Sequence, residues 1–212
     1  MKIRIILTFA LLYFSGCEKP DFSETGDEYE NTNEIEVEDE LTKSIKLAEQ
    51  GDVDAAFEIG SAHFKGEGIK LDYTQAFKWL KKAATQEHSE AQFYLAGMYE
   101  NGRGVERNAE LSAKWYQLSA ENGYVLAQNH LGWMLTNGQG LPLDYKKAVY
   151  WFRLAAEKNY SVAQANLSTM YRDGKGVSKD LRLANTWWKL ALERDSKQKL
   201  REVGFNFFQV SR

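Results

Sequence analysis

EAQFYLAGMYENGRGVERNAELSAKWYQLSAENGYV, residues 90–125, decides the fold, because a shift of 36 residues in either direction lays it on itself. Ala91 falls on Ala55, Ala127 and Ala163, and Trp115 on Trp79, Trp151 and Trp187. Gly102 falls on Gly66, Gly138 and Gly174; Gly104 falls on Gly68, Gly140 and Gly176. A period of this length marks a solenoid, in which each unit buries its apolar face on its neighbours.

Each unit divides into two helical patterns. In the first, Ala55, Ala56, Ile59 and Ala62-His63 recur at three-and-four spacing, and Ala76, Trp79, Leu80, Ala83 and Ala84 do so again after the loop. The first loop glycine supplies the positive φ that ends a helix. The apolar residue after the second glycine (Ile69, Val105, Leu141, Val177) is expected to tuck the loop onto the core. Asp72, Asn108, Asp144 and Asp180 stand where the second helix needs an N-cap. Alanines on both helices let the backbones approach, and the repeated tryptophan fills the wedge between units. Trp188 takes the apolar slot of Leu80, Tyr116 and Phe152. The fold class that follows is all-α, a solenoid of antiparallel helix pairs.

Five segments are expected: a signal peptide over 1–16, an acidic tether over 17–40, a capping half-repeat over 41–53, four repeats over 54–197 and a capping helix over 198–212. The start carries Lys2 and Arg4, then an apolar run from Ile5 to Phe14. That run is shorter than the roughly 20 residues a membrane-spanning helix takes and suits a secretory signal. From Glu18 to Glu40 there are eleven acids and one base. Such a segment cannot bury enough to offset its ordering entropy, so it reads as a spacer of roughly 25–30 Å. The chain carries a formal charge of -3, so the array from Leu41 onward is mildly basic. It shows neither the basic stripe nor the module that nucleic-acid binding requires. Cys17 is the single cysteine, which excludes a disulfide within the chain.

The unit resembles the Sel1-like repeat, a relative of the tetratricopeptide repeat. The match rests on Ala91-Gln92, Leu95, Tyr99, Gly102-Arg103-Gly104-Val105, Ala113, Trp115-Tyr116 and Ala120-Glu121-Asn122-Gly123. The resemblance implies a right-handed α-solenoid that acts as a scaffold or adaptor for other proteins. Phe14-Ser15-Gly16-Cys17 resembles the lipobox of bacterial lipoproteins, which implies cleavage before Cys17 and its acylation. Glu18 rather than Asp after that cysteine leans to the outer membrane, facing the periplasm or the outside. Cysteine-rich relatives are linked to penicillin binding and weak β-lactam hydrolysis, which gives a rival reading as a β-lactam- or cell-wall-acting hydrolase. This chain lacks their cysteines.

No catalytic constellation, metal set or cofactor motif is present. The Gly-x-Gly loops follow no strand and complete no phosphate-binding pattern. His63, His88 and His130 are 25 and 42 residues apart, without ligand spacing. Repetition supports an internal comparison instead: positions alike in every unit hold the fold, and positions that differ on one helix face are open to a partner. Three such slots read Glu58, Tyr94, His130, Asn166; Ser61, Gly97, Trp133, Thr169; and Lys65, Asn101, Asn137, Asp173. Glu100 and Arg172 flank them. Trp133 stands where the other units carry small residues, as a hot spot for a partner or as the filler of a local void. The expected partner-binding residues are Trp133, His130, Tyr94, Glu58, Asn166, Thr169, Asn137 and Arg172. The partner is expected to be a protein or peptide held in a concave groove, with a membrane contact through the lipid on Cys17. Immunity toward an envelope-acting enzyme is a narrower version, and end-to-end stacking through Phe205, Phe207 and Phe208 is a third reading. The oligomeric state is left open.

Overall fold

The computed structural model describes residues 41–194. The signal peptide, Cys17, the tether and the cap expected over 198–212 lie outside the described residues. Among the described residues there are nine helices and no strand. A helix over 41–49 (α1) precedes four pairs: α2 (Val53–Lys65) with α3 (Tyr73–Ala84), α4 (Ser89–Asn101) with α5 (Ala109–Glu121), α6 (Val125–Asn137) with α7 (Tyr145–Glu157), and α8 (Ser161–Asp173) with α9 (Leu181–Arg194). The first member of each pair is called the first helix, its partner the second. Each first helix packs on its own second helix, and α3, α5 and α7 pack in turn on the first helix that follows. This is an all-α solenoid with short-range connectivity.

The loop chemistry acts as the sequence implies. Gly66, Gly102, Gly138 and Gly174 end the first helices in the left-handed region, at φ 66–71°. At the start of the second helices, the Thr74 and Gln75 N–H groups donate to Asp72 Oδ1 at 2.9 and 3.0 Å. Asn108, Asp144 and Asp180 accept from Leu111, Lys147 and Leu183 in the same way. The second glycines make a different contact. A Cβ on Gly104 would collide with the backbone carbonyl of Tyr73, and one on Gly176 with that of Tyr145. Each loop therefore rests against the first turn of the second helix one unit earlier. Gly68 has no atom within 4 Å of that position, so its contact is missing in the first unit.

The core is a chain of small apolar clusters along the array. Alanines set its thickness: Ala56, Ala76, Ala83, Ala91, Ala127, Ala148, Ala155 and Ala163 are all fully buried. Between units runs a ladder of buried glutamines. Gln92 Nε2 donates to the Ala84 carbonyl, Gln128 to Ala120 and Gln164 to Ala156, each at 3.1 Å. Every rung adds a side-chain donor to a carbonyl at the C-terminal end of a second helix that also accepts a backbone N–H from the turn after it (Glu87, Gly123 and Asn159). At the front, α1 joins the first cluster through Ile45, Leu47 and Ala48, and Lys82 Nζ donates to the Ala48 carbonyl at 2.6 Å.

One expectation is corrected at the other end. Leu80, Tyr116 and Phe152 are buried, but Trp188 in the same slot is 37% exposed. Leu80 and Phe152 lie against Gly60 and Gly132 of their own first helices, and Tyr116 meets His130 of the following one; no described residue follows α9.

Candidate binding face

The first helices present their variable positions in register. Glu58, Tyr94, His130 and Asn166 are half-buried at one level of α2, α4, α6 and α8, with Trp133 and Thr169 one turn further on. Aromatic contacts tie three of these helices together. Phe57 of α2 stacks on His88 at 4.4 Å and meets Tyr94 at 5.9 Å. Phe93 of α4 lies between Tyr94, Tyr116, Tyr124 and His130, with centroids 5.2–6.5 Å away. His130 closes on Tyr116 at 4.1 Å and on Trp133 at 5.5 Å. Tyr94, His130 and Trp133 thus belong to one run of rings from α2 to α6. Edge and offset contacts at these distances add to the area the rings bury.

The run carries a polar centre. Tyr116 Oη donates to Glu100 Oε2 at 3.0 Å, and His130 Nε2 lies 3.5 Å from Glu100 Oε1. That nitrogen is buried, and its 3.5 Å approach to the carboxylate is longer than a well-formed hydrogen bond. The imidazole beside it holds the Glu100 carboxyl below the ordinary carboxylate value, against an opposing push from burial; the Tyr116 hydroxyl and Arg107 help. Burial drives the Tyr116 hydroxyl far above the usual phenol range, and the Glu100 charge adds to this. Glu100 is therefore a fixed anion and Tyr116 a fixed donor. Gly97 makes room for the pair, since a Cβ there would sit 3.4 Å from the Tyr116 hydroxyl.

The remaining expected residues sit apart from the rings and are engaged locally. Asn166 Nδ2 donates to Asn129 Oδ1 at 2.9 Å across α8 and α6. Thr169 donates to the Ala165 carbonyl at 3.2 Å, and Asn137 to the Trp133 carbonyl at 2.8 Å. Arg172 Nε donates to Asp173 Oδ1 at 2.8 Å. Glu58 shares the level of Tyr94 on the neighbouring helix. The face divides into an aromatic portion on α2, α4 and α6 and a polar portion on α8.

Three members escape a reading by slots. Phe93 and Tyr116 look like core fillers, and only their neighbours show that they join the variable face. The signal for Tyr116 is its hydroxyl, since the matching residues Leu80, Phe152 and Trp188 have none. His88 looks like a counterpart of Tyr124 and Tyr160, yet its Nδ1 accepts from the Ala91 N–H at 3.1 Å and caps α4. Those two tyrosines make no such cap.

Charge is sorted between the two rows. The first helices carry Asp54, Glu58, Glu90, Glu100 and Asp173 against Lys65 and Arg172. The second helices carry ten bases against four acids. The mild basicity of the array therefore belongs to the second row, and the aromatic face is acidic. A cavity of about 430 Å³ between α5, α7 and the loop before α7 is lined by Leu131, Leu135, Leu141, Pro142, Tyr150 and Trp151; no expected binding residue faces it. Among the described residues no group of His, Cys, Asp and Glu is placed to hold a metal ion, and no helix is long and apolar enough to cross a membrane.

Stacked helix pairs with caps in register and a variable row of first helices define a tandem-repeat protein. The chain belongs to the Sel1 repeat family, whose repeat matches residues 53–88, 89–124, 125–160 and 161–196. Sel1 repeats mediate protein–protein interaction. The unit boundaries fall one residue before those read from the periodicity, where the first helices begin. The chain is similar to a protective antigen of uropathogenic Escherichia coli strains that displays an SLR fold, with 33% identity and a TM-score of 0.72 over 78% of this chain and 35% of that one. It is also similar to a Sel1 repeat protein from Oxalobacter formigenes, with 31% identity and a TM-score of 0.67 over 72% of this chain and 61% of the other. It thus spans less than two thirds of either neighbour. No curated protein matches the chain.

Proposed function

We propose that this protein is a binding module of the bacterial cell envelope, not an enzyme, and that it captures a protein or extended peptide on the first-helix face. The observation that carries the reading is the run of rings from Phe57 to Trp133. It lies at positions the repeat leaves free to vary, and it ends on a half-buried indole. Such anchors, part buried and part open, dominate protein interfaces. The fixed anion at Glu100 and the acidic excess of the row favour a partner segment that carries Lys or Arg. Arg103 already lies over the rings of Phe64 and Tyr73 at 5.7 and 5.5 Å, which shows the attraction within the chain itself.

Envelope placement rests on the apolar leader and on Cys17 as the acylated residue. The similar E. coli protein is a protective antigen, which favours exposure at the cell surface over a wholly internal role. Within this frame the protein acts as an adaptor or as an immunity partner that neutralises an enzyme delivered into the envelope.

The test uses a partner recovered from envelope extract, then purified and titrated. Trp133→Ala and Tyr94→Ala should each weaken it at least tenfold with a Tm change of a few degrees, while Tyr150→Ala, on the far row and 57% exposed, leaves it unchanged. Unaltered affinity in the first two variants would reject the face. Failure of labelled palmitate to enter the chain, or its entry into Cys17→Ser, would reject the anchor.

A further inference from the structure

Each internal second helix carries one stripe sealed between its own first helix and the one that follows: the Phe152 ring lies against Gly132 of α6, while Tyr116 meets His130 and Ala156 accepts from Gln164 of the next unit. In α7 it is Val149, Phe152 and Ala156, none more than 5% exposed. In α5 it is Ala113, Tyr116 and Ala120, buried to the same degree. One unit further, in α9, the stripe is Asn185, Trp188 and Leu192. Trp188 is 37% and Leu192 36% exposed. An indole and a leucine thus stand open where their counterparts are sealed, and open apolar stripes of this kind mark a contact.

We propose that this stripe is the docking face for residues 197–209 of the same chain, seated as α8 seats on α7. The repeat register names the occupant. A shift of 36 residues brings Val203 onto Ile59, Leu95, Leu131 and Leu167, each at most 2% exposed. It brings Phe207 onto His63, Tyr99, Leu135 and Tyr171.

The pair that meets across each junction gives a second, independent reason. At the internal junctions a glutamine reaches the carbonyl of an alanine eight residues earlier, as Gln164 does to Ala156. The same two positions at the last junction are Leu192 and Leu200. Where the small residue has become large, its polar opposite has become apolar. The first junction shows that an apolar pair closes well there, since Ala48 and Ala56 are both fully buried.

Length agrees as well. Residues 195–212 are enough for a three-residue turn, as at 158–160, and a helix of 13 residues like α8. Lys199 departs from Ala91, Ala127 and Ala163 in its slot, and its stem can carry the ammonium to water at the edge of the array.

Hydrogen exchange on the full chain carrying Cys17→Ser tests the proposal. Val203→Asp should speed exchange of the α9 amides from Trp188 to Leu192 at least tenfold in a monomer, with α2 to α7 unchanged. Leu200→Ser should do the same more weakly. In a Trp188→Ala background Val203→Asp should add nothing, because the two side chains share one contact. The proposal falls if Val203→Asp leaves α9 exchange as it was, or if the two effects multiply. It also falls if Val203→Asp converts a dimer into a monomer in sedimentation, since the face would then belong to a second copy.

Discussion

Replacing Gly104 by Ala should damage the array far more than replacing Gly68, although the two glycines hold the same place in their repeats. Both lie in the left-handed region, at φ 69° and 74°, so both variants lose about 1–2 kcal/mol to that backbone conformation. At Gly68 the new Cβ meets nothing within 4 Å, and the loss ends there. At Gly104 it overlaps the Tyr73 carbonyl and lies 3.0 Å from the Thr74 nitrogen. These are backbone atoms at the start of α3, and no rotamer change removes them. The loop must lift from the preceding unit, at an overpacking cost of about 1–3 kcal/mol more. For a domain of this size that difference is a gap in Tm of about 2–12 °C between the two variants. Thermal melts followed by circular dichroism would measure it, and hydrogen exchange should place the extra opening between α3 and α4. Gly176→Ala should behave like Gly104→Ala, because its Cβ would strike the Tyr145 carbonyl. Equal melting temperatures for the Gly68 and Gly104 variants would refute the idea that the loops brace one unit on the next.

The polar centre gives a pH prediction. Because the folded protein holds Glu100 below its ordinary value of 4.5, its contribution is present above that value and is lost as pH falls through the lower folded one. Glu100→Gln should therefore lower stability at pH 7 and flatten the acid limb of the stability curve below about pH 4.5; parallel acid titrations of both proteins by circular dichroism would show it. Gln128→Leu removes one rung of the glutamine ladder, but the Ala120 carbonyl keeps the Gly123 N–H at 3.0 Å, so the loss should be that of a single net hydrogen bond, about 0.5–1.5 kcal/mol in urea unfolding. Gln128→Glu should cost more at neutral pH, since it buries a charge as well.

The periodicity, the two helices per unit, the loop glycines and the four second-helix caps were legible in the sequence because each depends on residues a few positions apart. Asp72 must find an N–H two or three residues on, and that chemistry needs no tertiary information. The variable face was legible as slots, since repetition itself separates what holds the fold from what is free. How the slots meet was not. Phe93 touches both its neighbour Tyr94 and His130 of the next unit, and no spacing within a repeat shows which rings close that gap. By spacing alone Tyr116 is an apolar filler; its hydroxyl matters only because Glu100 lies one helix away. The exposure of Trp188 escapes spacing for a similar reason: what seals a slot lies on other helices, as Gly132 does for Phe152 and His130 for Tyr116.

The most extensive packing in the array joins each helix to the next one along the chain, and the contacts between first helices reach only one unit further. Nothing in the described core waits for a distant segment to arrive. Loop-closure entropy is therefore small at each step, and topologies of this kind reach the native state quickly. The chain can acquire its final packing progressively, pair upon pair, as it is synthesised. A lesion in one unit should then stall growth of the structure beyond it while leaving the earlier helices intact.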